Sequence, residues 1–221
     1  MRADRDSVYG VAGLRLQCPW PLPYLPYAER DGELDMRVIV SAGDPGEATA
    51  HDSWLTVTRS DAGYRISIGD LVTCDIDRNG TEIHLSASGA LPTETLSHLL
   101  IDHILPLVLT LRGRHVVHAS AVLLTDGVIA FIGASGAGKS TLAAALHRHG
   151  HPVLTDDCIT IRTDHGAVWV EGLYPALRLW PETAVALGEN ADQMPAVAHY
   201  TDKRRAVCAF PLFGERPLQQ I

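Results

Sequence analysis

One eight-residue stretch near the middle of the chain constrains the fold more than any other feature. Residues 133–140 read Gly-Ala-Ser-Gly-Ala-Gly-Lys-Ser and satisfy the pattern G-x-x-x-x-G-K-[ST] at every fixed position. An apolar segment at 128–132 precedes the stretch, and a helix-forming segment at 139–149 follows it and stops before Gly150 and Pro152. A strand that enters such a loop and a helix that leaves it distinguish a phosphate-binding loop from a chance glycine-rich turn. The sequence therefore predicts an α/β region that binds a nucleoside triphosphate or another polyphosphate.

The residue types of this loop are those that an anion site requires. Glycines permit backbone conformations closed to other residues, so successive N–H groups can point at one phosphate. The start of the following helix adds its positive end, Lys139 supplies a full charge for the outer phosphates, and the Ser140 hydroxyl is placed to ligate Mg²⁺. We predict that the nucleotide is bound by Gly133, Ala134, Ser135, Gly136, Ala137, Gly138, Lys139, Ser140 and Thr141.

Two adjacent carboxylates, Asp156 and Asp157, end the strand predicted after the loop's helix. Because the carboxyl ends of strands line the ligand crevice of an open α/β sheet, these acids should face the metal and the γ-phosphate. One is suited to hold Mg²⁺ and the other to accept a proton from an incoming hydroxyl. The alternative is a turn in which the two side chains only start the next hairpin.

The chain changes character near Gly89, before which short alternating segments separated by turns predict a β-rich domain. A stretch with four prolines at 18–26 forbids a central strand and predicts an extended surface segment. Apolar residues at three- and four-residue steps over 93–111 predict a helix that Pro106 kinks and Gly113 ends. The predicted strands of the first part are 37–40, 54–58, 64–68, 71–76 and 82–85, with a hairpin turn at 78–80. The chain thus divides into a β-rich domain at 1–90, a connecting helix at 91–113 and an α/β domain at 114–221.

Composition and charge exclude several classes of protein. Eighteen Lys and Arg against 26 Asp and Glu give a net charge of −8, which argues against nucleic acid or an anionic membrane as a partner. A hydrophobic content of 46% with 20% charged residues excludes a disordered chain. No membrane span or signal peptide is recognisable, so we expect a cytoplasmic protein. We expect buried thiols with neither a zinc nor a disulfide role at Cys18, Cys74, Cys158 and Cys208, which form no C-x-x-C pair.

Three segments together resemble the catalytic core of HPr kinase/phosphorylase: His118-Ala119-Ser120, the loop at 133–140, and the run at 153–161. They are especially similar to the HPr-kinase-like serine kinases found with peptide-modification gene clusters, including those of lasso peptides. Lys139 follows His118 by 21 residues and precedes Asp157 by 18, spacings similar to that family. The resemblance covers about residues 111–161 and extends loosely to 173–180. It implies a P-loop kinase core related to that of phosphoenolpyruvate carboxykinase, here preceded by the small β-rich domain.

The resemblance also implies a role for each matched residue. Lys139 becomes the phosphate-binding lysine, and Asp157 becomes the general base toward a serine hydroxyl. His118, which its apolar neighbours alone would mark as a core histidine, becomes the residue that orients or tunes the aspartate pair. The implied metal ligands are Ser140, Asp156 and a downstream glutamate, for which Glu171 is the first candidate and Glu182 the second.

The chain departs from the family pattern in three ways. Thr141 stands where the family has an acidic residue after the loop serine. The long motif shared by the family's kinase and phosphorylase reactions is not recognisable after Val170, so we do not expect phosphorylase activity. With its end at Ile221, the catalytic domain is expected to be C-terminally short relative to the family.

These features together predict a Mg²⁺-dependent kinase that transfers the γ-phosphoryl group of ATP, or of another nucleoside triphosphate, to a serine of a peptide or protein. Two alternatives remain open: a nucleotide-binding regulatory ATPase module without an acceptor, and a kinase of a small-molecule alcohol. No nucleic-acid or membrane partner is expected, and a homo-oligomer, such as the rings of HPr kinases, is left open.

Overall fold

A computed structural model describes residues 7–29, 31–41, 53–208 and 214–218 of the chain. In these residues the fold is mixed α/β and mostly β-rich, with three sheets and few helices. This confirms the predicted α/β class. The chain divides into two compact units, Met1–Gly113 and Arg114–Ile221. The first six residues and Ile221, on which the expectations about targeting and domain length depend, lie outside the described part.

The first unit is built on a seven-stranded sheet in the order β1-β2-β3-β7-β6-β5-β4. The β2–β3 and β3–β7 pairs are parallel and the other neighbours are antiparallel. The five predicted strands are confirmed, but the β1–β2 hairpin, which turns at Ala12 and Gly13 with positive φ, was not predicted. The strands are β1 (Ser7–Val11), β2 (Leu14–Cys18), β3 (Met36–Ser41), β4 (Leu55–Arg59), β5 (Gly63–Ile68), β6 (Val72–Asp77) and β7 (Glu82–Ala87).

The proline-rich stretch at 18–26 lies only partly at the surface: Pro21 and Pro23 are exposed, as predicted, but apolar side chains between the prolines are buried. Leu22 is fully buried, and Trp20 and Leu25 are nearly so. The backbone N–H of Leu22 donates to the Tyr9 hydroxyl at 3.0 Å. The prolines keep this backbone out of the sheet, but the apolar side chains between them form part of the core.

The predicted helix forms, and its interruption lies just before Pro106. It consists of α1 (Thr93–Leu99), a π-helical turn (Leu100–Ile104) and α2 (Leu105–Leu111). Proline has no N–H to continue the regular ladder, which accounts for the irregular turn at this point. The 19-residue segment, of mean hydropathy 1.3, is long and apolar enough to cross a membrane, but 61% of its most apolar window is buried. Since it lies within the first unit, burial in a core accounts for its composition equally well.

The second unit has a six-stranded antiparallel sheet centred on its longest strand, β8. One edge of β8 pairs with β9, and the other pairs with β10 and then β11, to which β12 and β16 are added. A second sheet has the order β13-β15-β14. The elements are β8 (His115–Leu124), β9 (Gly127–Ile132), α3 (Lys139–Arg148), β10 (Val153–Thr155), β11 (Cys158–Asp164), β12 (Ala167–Gly172), β13 (Ala176–Leu179), α4 (Pro181–Ala186), a 3₁₀ turn (Ala191–Gln193), β14 (Ala196–Ala198), β15 (Thr201–Val207) and β16 (Arg216–Pro217).

Two apolar clusters cover the two faces of the β8 sheet. Val122 and Val153 belong to the cluster that includes Ala143 of α3, and Ala119 and Leu154 belong to the other. Because side chains alternate along a strand, the even-numbered positions of β8 lie on the face that α3 covers. His118 and Ser120 therefore lie on the same face as helix α3.

Candidate functional site

The glycine-rich loop connects β9 to α3 and is exposed along residues 133–138. Gly136 and Gly138 adopt φ values of 81° and 86°, and Gly138 is the residue that begins the helix. A Cβ at either position would meet nothing within 4 Å. Backbone conformation rather than space therefore requires glycine here, as expected for a loop that turns its N–H groups to one side.

The Lys139 ammonium group folds back over the loop. Its Nζ donates to the carbonyl oxygens of Gly133 at 2.8 Å and of Ala134 at 3.0 Å. The full positive charge is thereby held beside the exposed amides and the N-terminal end of the 10-residue helix α3. Thr141 follows in the first turn of α3 and is exposed.

Asp156 directly follows β10, and its side chain lies near Ser140 at the start of helix α3. Its Oδ1 accepts a hydrogen bond from the Ser120 hydroxyl at 2.6 Å, and its Oδ2 accepts one from the Arg178 backbone N–H at 2.8 Å. Burial raises the pKa of Asp156, while Ser120, Arg178 and Ser140 act in the opposite direction. The structure thus brings together the predicted metal ligands Ser140 and Asp156.

Asp157 contacts two basic side chains. Its Oδ1 lies 3.1 Å from His118 Nδ1 and also accepts a hydrogen bond from the Arg178 guanidinium group. The side chain of Asp157 is 9% exposed and that of Arg178 11%, whereas that of His118 is 55% exposed. A buried cation therefore compensates the paired acids, and the imidazole opens to solvent beside them.

A gap in the strand pairing along β8 determines the position of Asp156 and Asp157. β10 and β11 run along the same edge of β8, and Asp156 and Asp157 lie in the gap between them. The Ala119 N–H donates to the Asp157 carbonyl at 2.8 Å, so the backbone remains bonded to β8 across the gap. Gly172, at the end of β12, lies against β10, where a Cβ would be 2.3 Å from the Leu154 carbonyl oxygen. Such a close approach is possible only because residue 172 has no side chain.

The structure does not bring Glu171 or Glu182 to this cluster. Glu171 is half-buried on β12, and burial together with the charge of Glu215 raises its pKa, while Arg114 opposes that shift. Its charged neighbours are thus Glu215 and Arg114 rather than the aspartate pair. Glu182 is exposed in the first turn of α4.

Sequence reasoning missed Arg178, which holds both acids. Its guanidinium group donates to the Asp156 carbonyl at 3.3 Å as well as to the Asp157 carboxylate. Ser120 was noticed only as part of a matched segment and not as a partner of Asp156. A single arginine inside the apolar run at 173–180 is the signal that could have identified Arg178.

A separate concavity of about 590 Å³ lies in the first unit, lined by residues of β4, β5, β6 and β7. Its charged groups already have partners: Arg65 pairs with Asp75 at 2.7 Å, and Asp77 accepts hydrogen bonds from Thr81 and Glu82. We therefore assign no chemistry to it.

The oxygen atoms of Ser140 and Asp156 fit a hard divalent cation such as Mg²⁺, which binds through few protein ligands and substrate phosphates. The glycine-rich loop and Lys139 fit the phosphates themselves. Comparisons with protein-family models, curated proteins and solved structures found no match to this chain.

Proposed function

We propose that this chain is a Mg²⁺-dependent kinase that transfers the γ-phosphoryl group of ATP, or of another nucleoside triphosphate, to a serine hydroxyl of a peptide or protein. The second unit would then be a P-loop core of the HPr kinase and phosphoenolpyruvate carboxykinase type. One observation carries the proposal: Ser140, the residue after the loop lysine, lies near enough to the Asp156 carboxylate to lower its pKa, and Asp157 follows Asp156 in the chain.

The loop and Lys139 would hold the phosphates of the donor. The exposed amides of residues 133–138 and the positive end of α3 attract the phosphate oxygens, and the Lys139 ammonium group exchanges its two carbonyl partners for them. Mg²⁺, held by Ser140 and Asp156, would neutralise charge on the β- and γ-phosphates. Position and charge neutralisation supply most of the catalysis in phosphoryl transfer, and these residues provide both.

Asp157 would act on the acceptor. The serine oxygen forms a bond to the γ-phosphorus as the bond to the β,γ-bridging oxygen breaks, and the hydroxyl proton passes to the Asp157 carboxylate. Through their contacts with Oδ1, His118 and Arg178 fix the orientation of this carboxylate. The exposed ring of His118 marks the side from which an acceptor can approach.

A second candidate is a regulatory module that binds or slowly hydrolyses nucleoside triphosphate without phosphorylating an acceptor. The observation in its favour is the contact between Arg178 and Asp157, because a guanidinium group stabilises the charged carboxylate and weakens it as a proton acceptor. A kinase of a small-molecule alcohol would use the same residues.

Incubation with γ-labelled ATP, Mg²⁺ and serine-containing peptides, followed by mapping of the label, tests the proposal. We expect label on serine with the wild type, none with Lys139→Ala, and retained transfer with Lys203→Ala, the matched lysine control in the same unit. Asp157→Asn should bind nucleotide normally and lose about 10²–10⁴-fold in turnover.

The outcomes separate the candidates. Free phosphate without a labelled acceptor would favour the regulatory module, and label only on added alcohols would favour the small-molecule kinase. Full turnover by Asp157→Asn would show that Asp157 is not the base.

A further inference from the structure

A second set of ligand atoms lies beside the magnesium ligands and differs from them in chemistry. His118, Asp157 and Cys158 each offer one ligand atom, and these atoms all lie within 4.8 Å of one another. Cys158 is the next residue after the proposed base and directly opposite His118 in the β8–β11 pairing. Strand pairing therefore places imidazole nitrogen, carboxylate oxygen and thiol sulfur at one point.

We propose that His118, Asp157 and Cys158 form an inhibitory site for Zn²⁺ or a similar thiophilic divalent cation. The proposed binding of the cation depends only on these three side chains. The inhibitory part rests on the proposed function, because a cation on Asp157 removes the carboxylate that would accept the serine proton.

The ligand atoms lie close enough together for one ion to reach all three groups. His118 Nδ1 lies 3.1 Å from Asp157 Oδ1, and Cys158 Sγ lies 3.7 Å from Asp157 Oδ2. Tetrahedral zinc with ordinary bond lengths separates nitrogen from oxygen by about 3.4 Å and oxygen from sulfur by about 3.6 Å. Because the imidazole and the thiol now face different oxygens of the Asp157 carboxylate, zinc binding requires side-chain rotations that bring one of these oxygens, Nδ1 and Sγ to these spacings from within 4.8 Å of one another.

The chemistry of the ligands selects the metal. Thiolate and imidazole favour Zn²⁺, whereas Mg²⁺ prefers oxygen ligands such as those of Ser140 and Asp156. Neighbouring residues would thus bind two different cations: Mg²⁺, which takes part in the reaction, and Zn²⁺, which inhibits it. The 55% exposure of the His118 side chain leaves the fourth zinc position open to water.

The local charge is also suited to a divalent cation. Zinc binding displaces the thiol proton of Cys158 to solvent, so Asp157 and the thiolate each bring one negative charge. Asp156 adds a third nearby, and Arg178 offsets one of the three through its contacts with both aspartates. A net charge of about −2 remains for the ion to neutralise.

Titration of the full-length protein with Co²⁺, a spectroscopic substitute for Zn²⁺, tests binding without any activity measurement. We expect one equivalent to produce a thiolate-to-cobalt charge-transfer band that Zn²⁺ abolishes. Cys158→Ala should remove the band, and His118→Gln, at a position whose side chain is exposed, should weaken Co²⁺ binding by more than about 100-fold. Cys74→Ala, which alters an equally buried thiol in the first unit, should leave the band unchanged.

Absence of the band in the folded wild type, its persistence in Cys158→Ala, or its loss in Cys74→Ala would overturn the site. Zinc should also suppress the magnesium-dependent turnover of the wild type but not that of Cys158→Ala, each relative to its own zinc-free rate. A cobalt band without zinc inhibition would refute the regulatory role alone. A cobalt band in a protein that shows neither phosphoryl transfer nor nucleotide hydrolysis would refute the proposed function but still support the zinc site.

Discussion

At the scale of single residues, the site depends on how two neighbouring acids are tolerated inside the protein. Asp156 accepts hydrogen bonds from Ser120 and the Arg178 backbone, and Asp157 contacts Arg178 and His118. The motif indicates Lys139 and Ser140 because their proposed roles follow from local spacing. Arg178 could not be identified in the same way, because its contact with residues 21 and 22 positions earlier depends on the pairing of a different sheet.

Replacing Arg178 tests this compensation. Arg178→Ala leaves buried carboxylates without their cation, and the free energy of unfolding should fall by about 3–5 kcal/mol. Arg162→Ala is the matched control, because Arg162 pairs with Glu215 and Asp164 at the surface and its loss should matter far less. Urea unfolding of both variants measures the difference, and equal losses would contradict the account.

At the scale of elements, the sequence predicted the positions of turns and loops correctly, but it did not predict which segments are buried. The 78–80 hairpin and the helix after the glycine-rich loop both form as predicted. Their signals are local, because glycine, asparagine and proline act on their own backbone. The burial of the apolar side chains at 18–26 was not predicted, because it depends on contacts distant in sequence, such as that of Leu22 with Tyr9, which no local pattern encodes.

The β6–β7 turn should show a pH-dependent contribution of Asp77 to stability. This carboxylate accepts hydrogen bonds from Asn79, Thr81 and Glu82. Burial alone would raise the pKa of Asp77, but these bonds together lower it from its ordinary 3.8. A lowered acid pKa stabilises the fold above the unfolded value and loses that effect as the pH falls through the folded value.

Asp77→Asn should therefore lose about 1–2 kcal/mol of unfolding free energy at neutral pH, and its deficit relative to the wild type should shrink at about pH 3. Urea unfolding at the two pH values provides the comparison. A deficit that does not depend on pH would mean that the charge of Asp77 contributes nothing.

Gly172 should control the position of the aspartate pair. A Cβ here would lie 2.3 Å from the Leu154 carbonyl oxygen and 2.8 Å from Thr155 Cβ, just before Asp156. Gly172→Ala should cost about 1–3 kcal/mol by overpacking and weaken magnesium-dependent nucleotide binding as the strand moves. Gly10→Ala is the control, because its Cβ would make only an ordinary 3.5 Å contact with Pro26. Unfolding and nucleotide titration that show no difference between the two variants would rule out this role.

At the scale of the whole molecule, the chain consists of two compact units that meet in sequence at Gly113 and Arg114. The change of pattern near Gly89 predicted a division, but it could not show that the helix at 93–111 lies within the first unit. An amphipathic pattern reveals that a face is buried and not which core buries it. The proposed chemistry lies entirely in the second unit.

The measurement that tests the central claim most directly is amide hydrogen exchange of the whole protein with and without Mg²⁺ and ATP. If residues 133–140 hold the phosphates, their amides should exchange more slowly with nucleotide. At 100 times the dissociation constant, the protein should gain about 2.7 kcal/mol of stability. Lys139→Ala should largely lose both effects. Unchanged exchange across 133–140 at nucleotide concentrations that saturate any binding would contradict the proposed function.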